Sequence, residues 1–245
     1  MRRRSLLAGL AATFAAGCSK IGKSDTFQGL VDTAGDLHRA AHRALGGREA
    51  LAREFSPADV SPFFRGNGST QIKDAGYRAQ LANGFADWRL EFTGLFDTPM
   101  SLSIDQLKAL PQRTQITRHD CVEGWSAIGQ WTGPELRALL DMAGVQPEAK
   151  FIVFRCADTL DGALYYESVD LVDAYHPQTI IAHSLNGGPL PEANGAPLRM
   201  RIERQLGYKH AKFLTGIEAV ASLDGIAGGK GGYWEDRGYQ WYAGV

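Results

Sequence analysis

Cysteine is scarce in this 245-residue chain: there are three, at positions 18, 121 and 156, and no two form a Cys-x-x-Cys pair. That spacing excludes the paired ligands of a structural zinc site. The missing Cys-x-x-Cys-His excludes a haem attached in the c-type manner. No Gly-x-Ser-x-Gly elbow occurs, so a hydrolase serine of that kind is absent too. An excess of one charge is also lacking, with 26 Lys and Arg against 27 Asp and Glu and a net charge of −1. The basic stripe of a nucleic-acid-binding protein is therefore not expected. Beyond residue 18 no run approaches the roughly 20 apolar residues of a membrane-spanning helix.

What the chain does have is glycine, 29 residues of it, with 44% hydrophobic content. Such a composition and length predict one large or two small domains, rich in β structure and turns. Residues 1–18 read as an export signal, with a basic start at Met1 to Arg4, an apolar run from Leu6 to Gly17, and small residues at the close. The order Arg3-Arg4-Ser5-Leu6-Leu7 is that of a twin-arginine leader, a route taken by proteins already folded. Ala15-Ala16-Gly17-Cys18 has the form of a lipoprotein processing site, and an ordinary cleaved signal stays open beside it. The expected location is the periplasm, with Cys18 as a lipid anchor under the first alternative.

Residues 19–60 are expected to form a helical segment. Phe27, Leu30, Val31, Ala34, Leu37, Ala41 and Leu45 recur at helical spacing, Ser24 or Asp25 caps the start, and Gly46-Gly47 ends it. A second helical piece is expected from Arg48 to Phe55. His38 and His42 stand four apart but lack a third ligand, so they read as solvated face residues. Residues 61–225 form the main domain, of α+β class. It opens on an irregular loop from Phe63 to Thr70, and strands are expected near 87–93, 114–120, 151–156, 179–182, 197–202 and 213–220. Ser103 caps a short helix ending near Pro111. Thr132-Gly133-Pro134-Glu135 predicts a second helix start, with Thr and Glu at capping-box spacing. Leu136, Leu139, Leu140 and Ala143 should face inward from it, and Gly144 should end it. Residues 226–245 set glycines beside five aromatics. That tail reads as a packing strap, with substrate gating as the alternative.

The stretch from Ile116 to Ser126 is the most informative. Cys121 sits among Arg118, His119, Asp120, Glu123 and Trp125, whereas a packing cysteine normally has apolar neighbours. Positive charge such as Arg118 favours a thiolate, either as nucleophile or as metal ligand. Strand alternation is expected to set His119 and Cys121 on opposite faces, which leaves a cysteine peptidase little support. In an oxidising compartment the ordinary reading of Cys121 and Cys156 is a disulfide. Arg199, Arg201, Arg204, Lys209, His210 and Lys212 then fall within 14 residues. Part of that cluster reads equally well as a solvated strand edge. Within it, the run from Gln205 to Lys212 sets a glycine and two lysines around a bend suited to a phosphate or another anion. Together with the thiol loop about 80 residues upstream, it suggests a phosphate-bearing metal cofactor.

Three ordered segments carry a resemblance: Cys121-Val122-Glu123-Gly124-Trp125-Ser126, Asn194-Gly195-Ala196-Pro197-Leu198-Arg199, and Gly207-Tyr208-Lys209-His210-Ala211-Lys212. They resemble the signatures of the sulfite-oxidase-fold molybdopterin oxidoreductases, with a pattern similar to the catalytic subunits of periplasmic protein-methionine-sulfoxide reductases. The resemblance implies an α+β fold with a mixed sheet and a Mo-molybdopterin cofactor. It makes Cys121 the molybdenum ligand and Asn194 and Arg199 pterin-binding residues. His210, Ala211 and Lys212 would hold the phosphate end, with His210 standing where the family has glycine and so offering a backbone contact. Asn67, with Thr70 and Gln71, would bind the cofactor from the entry loop, and so would Cys156, which stands where the family sets a threonine against the cofactor. A Cys121–Cys156 disulfide would consume the metal's ligand, and the leader type argues against it. Glu123, Arg118 and Arg155 become candidates for polarising the substrate or supporting the ligands. The implied chemistry is oxygen-atom transfer, reducing an S-oxide or N-oxide. The alternatives are oxidation of sulfite or a similar anion, or a lipid-tethered binding module without metal. Electrons would come from a separate partner, a haem membrane protein or a soluble cytochrome.

Overall fold

In the computed structural model the described residues are 24–245, so the leader and Cys18 lie outside them. The chain divides into two compact units, residues 1–45 and 46–245. The described part of the first is helix α1 (Asp25–Gly46). Ser24 Oγ accepts from the Phe27 amide at 3.3 Å, as an N-cap should. The His38 and His42 rings stack at 5.9 Å. No group of three metal-ligating side chains occurs among the described residues. Nor is any described helix long and apolar enough to cross a membrane.

The helix expected over 48–55 does not form. Glu54 bridges to Thr117, the Phe55 amide donates to Ile116 O at 2.8 Å, and Gln178 bonds both backbone groups of Ala52 at 2.7 and 3.0 Å. A strand edge and one buried amide satisfy this backbone, and tertiary pairing overrides a weak helical propensity.

The larger unit contains helix α2 (Ala75–Ala82) and strands β1 (Arg89–Gly94) and β2 (Met100–Ser103). Helix α3 (Ile104–Ala109) follows, then the paired strands β3 (Gln112–Cys121) and β4 (Trp125–Pro134), and helix α4 (Leu136–Ala143). Strands β5 (Phe151–Leu160) and β6 (Ala163–Asp170) lead to helix α5 (Leu171–Ala174) and β7 (Thr179–Ala182). Short strands β8 (Ser184–Leu185) and β9 (Gly188–Pro189), then β10 (Arg199–Ile202) and β11 (Leu214–Val220), complete it. The main sheet has the order β2-β1-β11-β5-β6 and is mixed: β1 and β11 run parallel, the other pairs antiparallel. A second sheet, β3-β4-β8-β9, is antiparallel, and β7 pairs with β10. The expected α+β class with mixed sheets is what forms.

Alternation explains most of this. Leu90 and Phe92 are fully buried on β1 while Arg89, Glu91 and Thr93 are not. Leu136, Leu139, Leu140 and Ala143 bury one face of α4 against the same core, and Gly144 ends it in the left-handed region at φ 70°. The start of α4 differs from expectation. Thr132, Gly133 and Pro134 stay in β4, and Glu135 is the N-cap. Thr132 bonds Thr114 across the hairpin at 2.9 Å and pairs with Ser184, so sheet contacts outcompete the capping motif. A second, smaller core of Phe64, Trp131, Ile180 and Leu185 lies beside the segment that carries the cysteine loop.

Candidate functional site

Cys121 ends β3, and the residues that share its face decide its surroundings. Gln115, Thr117, His119 and Cys121 are all buried, while Arg118 and Asp120 point the other way. His119 and Cys121 are two residues apart, and a period of two puts both on one face. The expectation of opposite faces is therefore corrected. The same alternation removes Arg118 from the site: it is half exposed and bonds Asp120 at 2.9 Å on the outer face. Arg155 is likewise spent elsewhere, on Glu218 at 2.5 Å.

Beside Cys121 lies a cavity of about 130 Å³ whose wall includes Asn67, Ser69, Glu123, Asp158, Tyr165, His210 and Lys212. Cys121 is 7% exposed, and Asn67 Nδ2 approaches its sulfur at 3.8 Å. Burial raises its thiol above the usual range, partly countered by the Glu123 amide. Glu123 accepts from Trp125 Nε1 at 3.0 Å across the hairpin turn. His119 accepts from Arg201 Nη1 at Nδ1, 2.9 Å away, and packs between the rings of Trp125 and His210 at 5.5 and 5.1 Å. Burial first, then the neighbouring His210 and Arg201, hold it well below the ordinary histidine range, so it is neutral. Its Nε2 carries the proton and has no partner among the described residues. Gly207 lies against this ring, where a Cβ would overlap it.

The cations converge from the 194–212 region. Arg199 is 1% exposed and gives Nη1 to Asn194 O at 2.9 Å, but its Nε and Nη2 have no partner among the described residues. Its plane lies over Trp131 at 5.0 Å, and burial, then Arg201, push its pKa down to about 9. It is still charged at neutral pH. Arg201 differs, because Glu203 neutralises it at 2.6 Å with both side chains sealed from solvent. Lys212 Nζ donates to Asn67 O at 2.5 Å and to Ser69 O, and burial, then Arg199, lower its pKa to about 7. Gly195, at φ 108°, leaves room for the stem of Lys212, which a Cβ there would strike at 2.8 Å. His210 binds Gln205 O at 3.0 Å through Nε2 and leaves Nδ1 without a partner among the described residues.

Several expected residues lie elsewhere. Lys209 is not an anion ligand, because it is fully buried between Glu167, at 2.7 Å, and Glu235. Thr70 and Gln71 are exposed and outside the cavity wall, with Thr70 set against Gly66. Cys156 is enclosed in the main core rather than on the wall, and both it and Cys121 are free thiols. Ala211 is buried, and its carbonyl is taken by the Met200 amide at 2.8 Å. Asn194 and Arg199 stand behind the wall rather than on it. Residues the sequence did not single out are Asp158 and Tyr165 on the wall, and Tyr208, Trp234 and Tyr239 at its side. His119 was legible from alternation applied correctly, and the others depend on how the sheets and tail come together.

An unneutralised guanidinium, a depressed lysine and the free Nε2–H of His119 beside a thiol form a site for an anionic group that also binds a soft metal. Residues 78–224, more than half of the chain, match the family described as oxidoreductase molybdopterin binding domain, and the chain belongs to that family. The cofactor of that family is molybdopterin, and the orphaned N–H donors of Arg199 and of His119 Nε2 fit its anionic end. Among curated proteins, the putative protein-methionine-sulfoxide reductase subunit YedZ1 of Azospira oryzae is 42% identical over 159 residues, 65% of this chain and 56% of that protein. The protein-methionine-sulfoxide reductase catalytic subunit MsrP of Campylobacter jejuni is 32% identical over 152 residues, 56% of this chain and 51% of that one. The chain thus spans about half the length of the curated relatives it matches. The sulfane dehydrogenase SoxCD from Paracoccus pantotrophus superposes with a TM-score of 0.52 at 21% identity, over 56% of this chain and 39% of that one. It shares the fold.

Proposed function

We propose that this protein is a periplasmic molybdenum oxidoreductase that removes the oxygen atom of an organic S-oxide, with the Cys121 thiolate holding the metal. The observation that carries this reading is the buried Arg199 guanidinium, with two nitrogens unpaired, behind the cavity that Cys121 borders. An uncompensated buried cation is costly unless an anion joins it. Relatives named for methionine-sulfoxide reduction support an S-oxide rather than an N-oxide. The order Arg3 to Leu7 supports twin-arginine export, and Cys18 supports a lipid tether.

When bound, the cofactor supplies two-electron oxygen-atom transfer. Arg199 and Lys212 would bind its anionic end, and Asn67 Nδ2 orients the Cys121 sulfur. Glu123 stands beside that sulfur, its carboxylate held by Trp125 Nε1 at 3.0 Å. Phe64, Trp125 and Trp131, packed ring to ring at 4.9 to 6.4 Å, keep water from the back of the loop. The overall change takes one S-oxide, two protons and two electrons to one sulfide and one water. The electrons come from a haem membrane protein or soluble cytochrome, because this chain carries no c-type haem motif.

Purified from cells that load the cofactor and export the intact precursor, the protein should contain molybdenum and reduce methionine sulfoxide with a reduced viologen as donor. Cys121→Ala should abolish turnover with the melting temperature little changed. Protein without molybdenum would overturn the whole reading. Loaded protein that reduces no S-oxide but oxidises sulfite would reverse the direction.

A further inference from the structure

The C-terminal tail, residues 226–245, lies beyond the family-matched segment that ends at 224, yet two of its side chains stand on the wall of the Cys121 cavity. Trp234 and Tyr239 stack with ring centroids 5.2 Å apart and planes 28° from parallel. Tyr208, from the segment that also carries His210, meets Tyr239 edge-on at 5.3 Å. Its hydroxyl is used up on Gln240 O at 2.6 Å, so what Tyr208 offers the cavity is ring. Leu160 and the half-exposed Val122 border the same space. Val122, Leu160, Tyr208, Trp234 and Tyr239 thus give the cavity an aromatic and apolar share of its lining, beside the charged Lys212 and Glu123.

The wall is built rather than draped. Glu235, between the two stacked residues in sequence, is fully buried and paired with Lys209. Asp236 accepts from Tyr166 Oη at 2.7 Å and from the amides of Gly228 and Lys230 at 3.0 and 3.1 Å. Trp241 Nε1 donates to Ser168 Oγ at 2.9 Å, and the Ala243 amide to Gln205 Oε1 at 2.8 Å. A tail fixed at four places holds its two rings in one position, which is what a preorganised binding wall requires. A mobile lid would lack these buried ties.

We infer that Trp234 and Tyr239, together with Tyr208, form the substrate wall beside Cys121 and select neutral organic S-oxides over small oxyanions. The inference rests on the oxygen-atom transfer proposed above and adds the residues that choose its substrate. Ring faces carry negative quadrupole potential, which attracts the polarised methyl and methylene hydrogens flanking a sulfoxide sulfur and the sulfur itself. The same faces, with the Glu123 carboxylate near the thiol, repel an anion such as sulfite or chlorate. The rings touch substrate and take no part in moving electrons or protons.

The test uses the molybdenum-loaded enzyme with a reduced viologen as donor and compares methionine sulfoxide with chlorate. Trp234→Ala and Tyr239→Ala should each raise KM for methionine sulfoxide about tenfold, the scale of one lost aromatic contact. Both kcat and molybdenum content should stay near wild type, and KM for chlorate should stay unchanged or fall. Trp234→Phe should restore a KM near wild type. Unchanged KM at full molybdenum content would overturn the inference. So would loss of molybdenum in proportion to activity, which would make the rings a cofactor contact. Titrating methionine sulfoxide into the loaded, oxidised enzyme gives a readout free of turnover: tryptophan fluorescence should change saturably in wild type and not in Trp234→Phe. Should no S-oxide be reduced while that signal persists, the wall stands and the assigned reaction fails. A signal equal in both proteins would count against the wall even if the reduction proceeds.

Discussion

Lys209 and Glu235 form an ion pair sealed from solvent on both sides, and it joins the tail to the turn that carries His210. Glu167 shares the same ammonium at 2.7 Å. Two ionised carboxylates on one cation would leave one negative charge in excess, and burial, then repulsion from Glu235, oppose that excess by raising the Glu167 carboxyl well above the usual range.

Breaking this pair strands a buried charge. Lys209→Met is expected to cost about 3–5 kcal/mol, read as a lower urea midpoint. Glu167→Gln should be much milder, because a neutral amide replaces a carboxyl whose surroundings disfavour its charge and still faces Lys209. A urea midpoint that falls as far in Glu167→Gln as in Lys209→Met would contradict this account.

Arg199 makes a separable prediction about loading. Arg199→Met removes a buried cation with no carboxylate partner, so the cofactor-free protein should gain about 1 kcal/mol or more. Molybdenum content should fall at least about tenfold, the equivalent of one lost charge-assisted contact. Metal analysis and thermal melting on the same preparations separate the two effects. A variant that melts lower and still loads fully would sink the assignment.

Lys212 sets the pH dependence of the cofactor-free protein. Its folded pKa is pushed down to about 7 by burial and Arg199, against about 10.4 for an unfolded lysine. Below pH 7 it is protonated in both states and the penalty of burying the charge is fully present. Between pH 7 and about 10 the unfolded chain holds a proton that the folded chain releases, so stability rises with pH there. Lys212→Gln should flatten that rise, as followed by denaturant midpoints at pH 7 and 9. An unchanged slope would remove Lys212 as its source.

The two buried cysteines should respond differently. Cys156→Ala removes a sulfur from the main core and is expected to cost on the order of 1–2 kcal/mol with turnover retained. Cys121→Ala should abolish turnover with little loss of stability, because its sulfur faces the cavity. Equal loss of activity in both would restore a linkage between them that the free thiols do not display.

Local periodicity carried the sequence a long way. The buried faces of β1 and α4 and the Gly144 cap follow from spacing and from which residues tolerate positive φ. The order of the three signature segments was also enough to indicate the family, because cofactor-binding backbone needs its residue types at fixed spacing. Where competing partners lay far away in sequence, local signals failed. Residues 48–55 gave up helix for the edge of β3, and the capping motif at Thr132 yielded to a hairpin.

The sequence by itself determined the family, through three ordered segments that contain Cys121, Arg199 and Lys212, and showed that neither charge is in excess. Only the tertiary structure decided which cations are free for a ligand. Lys209 and Arg201 are neutralised by Glu235 with Glu167 and by Glu203, while Arg199 has no carboxylate partner. It also brought Trp234 and Tyr239, more than a hundred residues from Cys121 in the chain, to the same cavity. The physical reason is the same in both cases. Charge neutralisation and cavity walls are set by distances through space, which spacing along the chain records only within a helix turn or a strand pair.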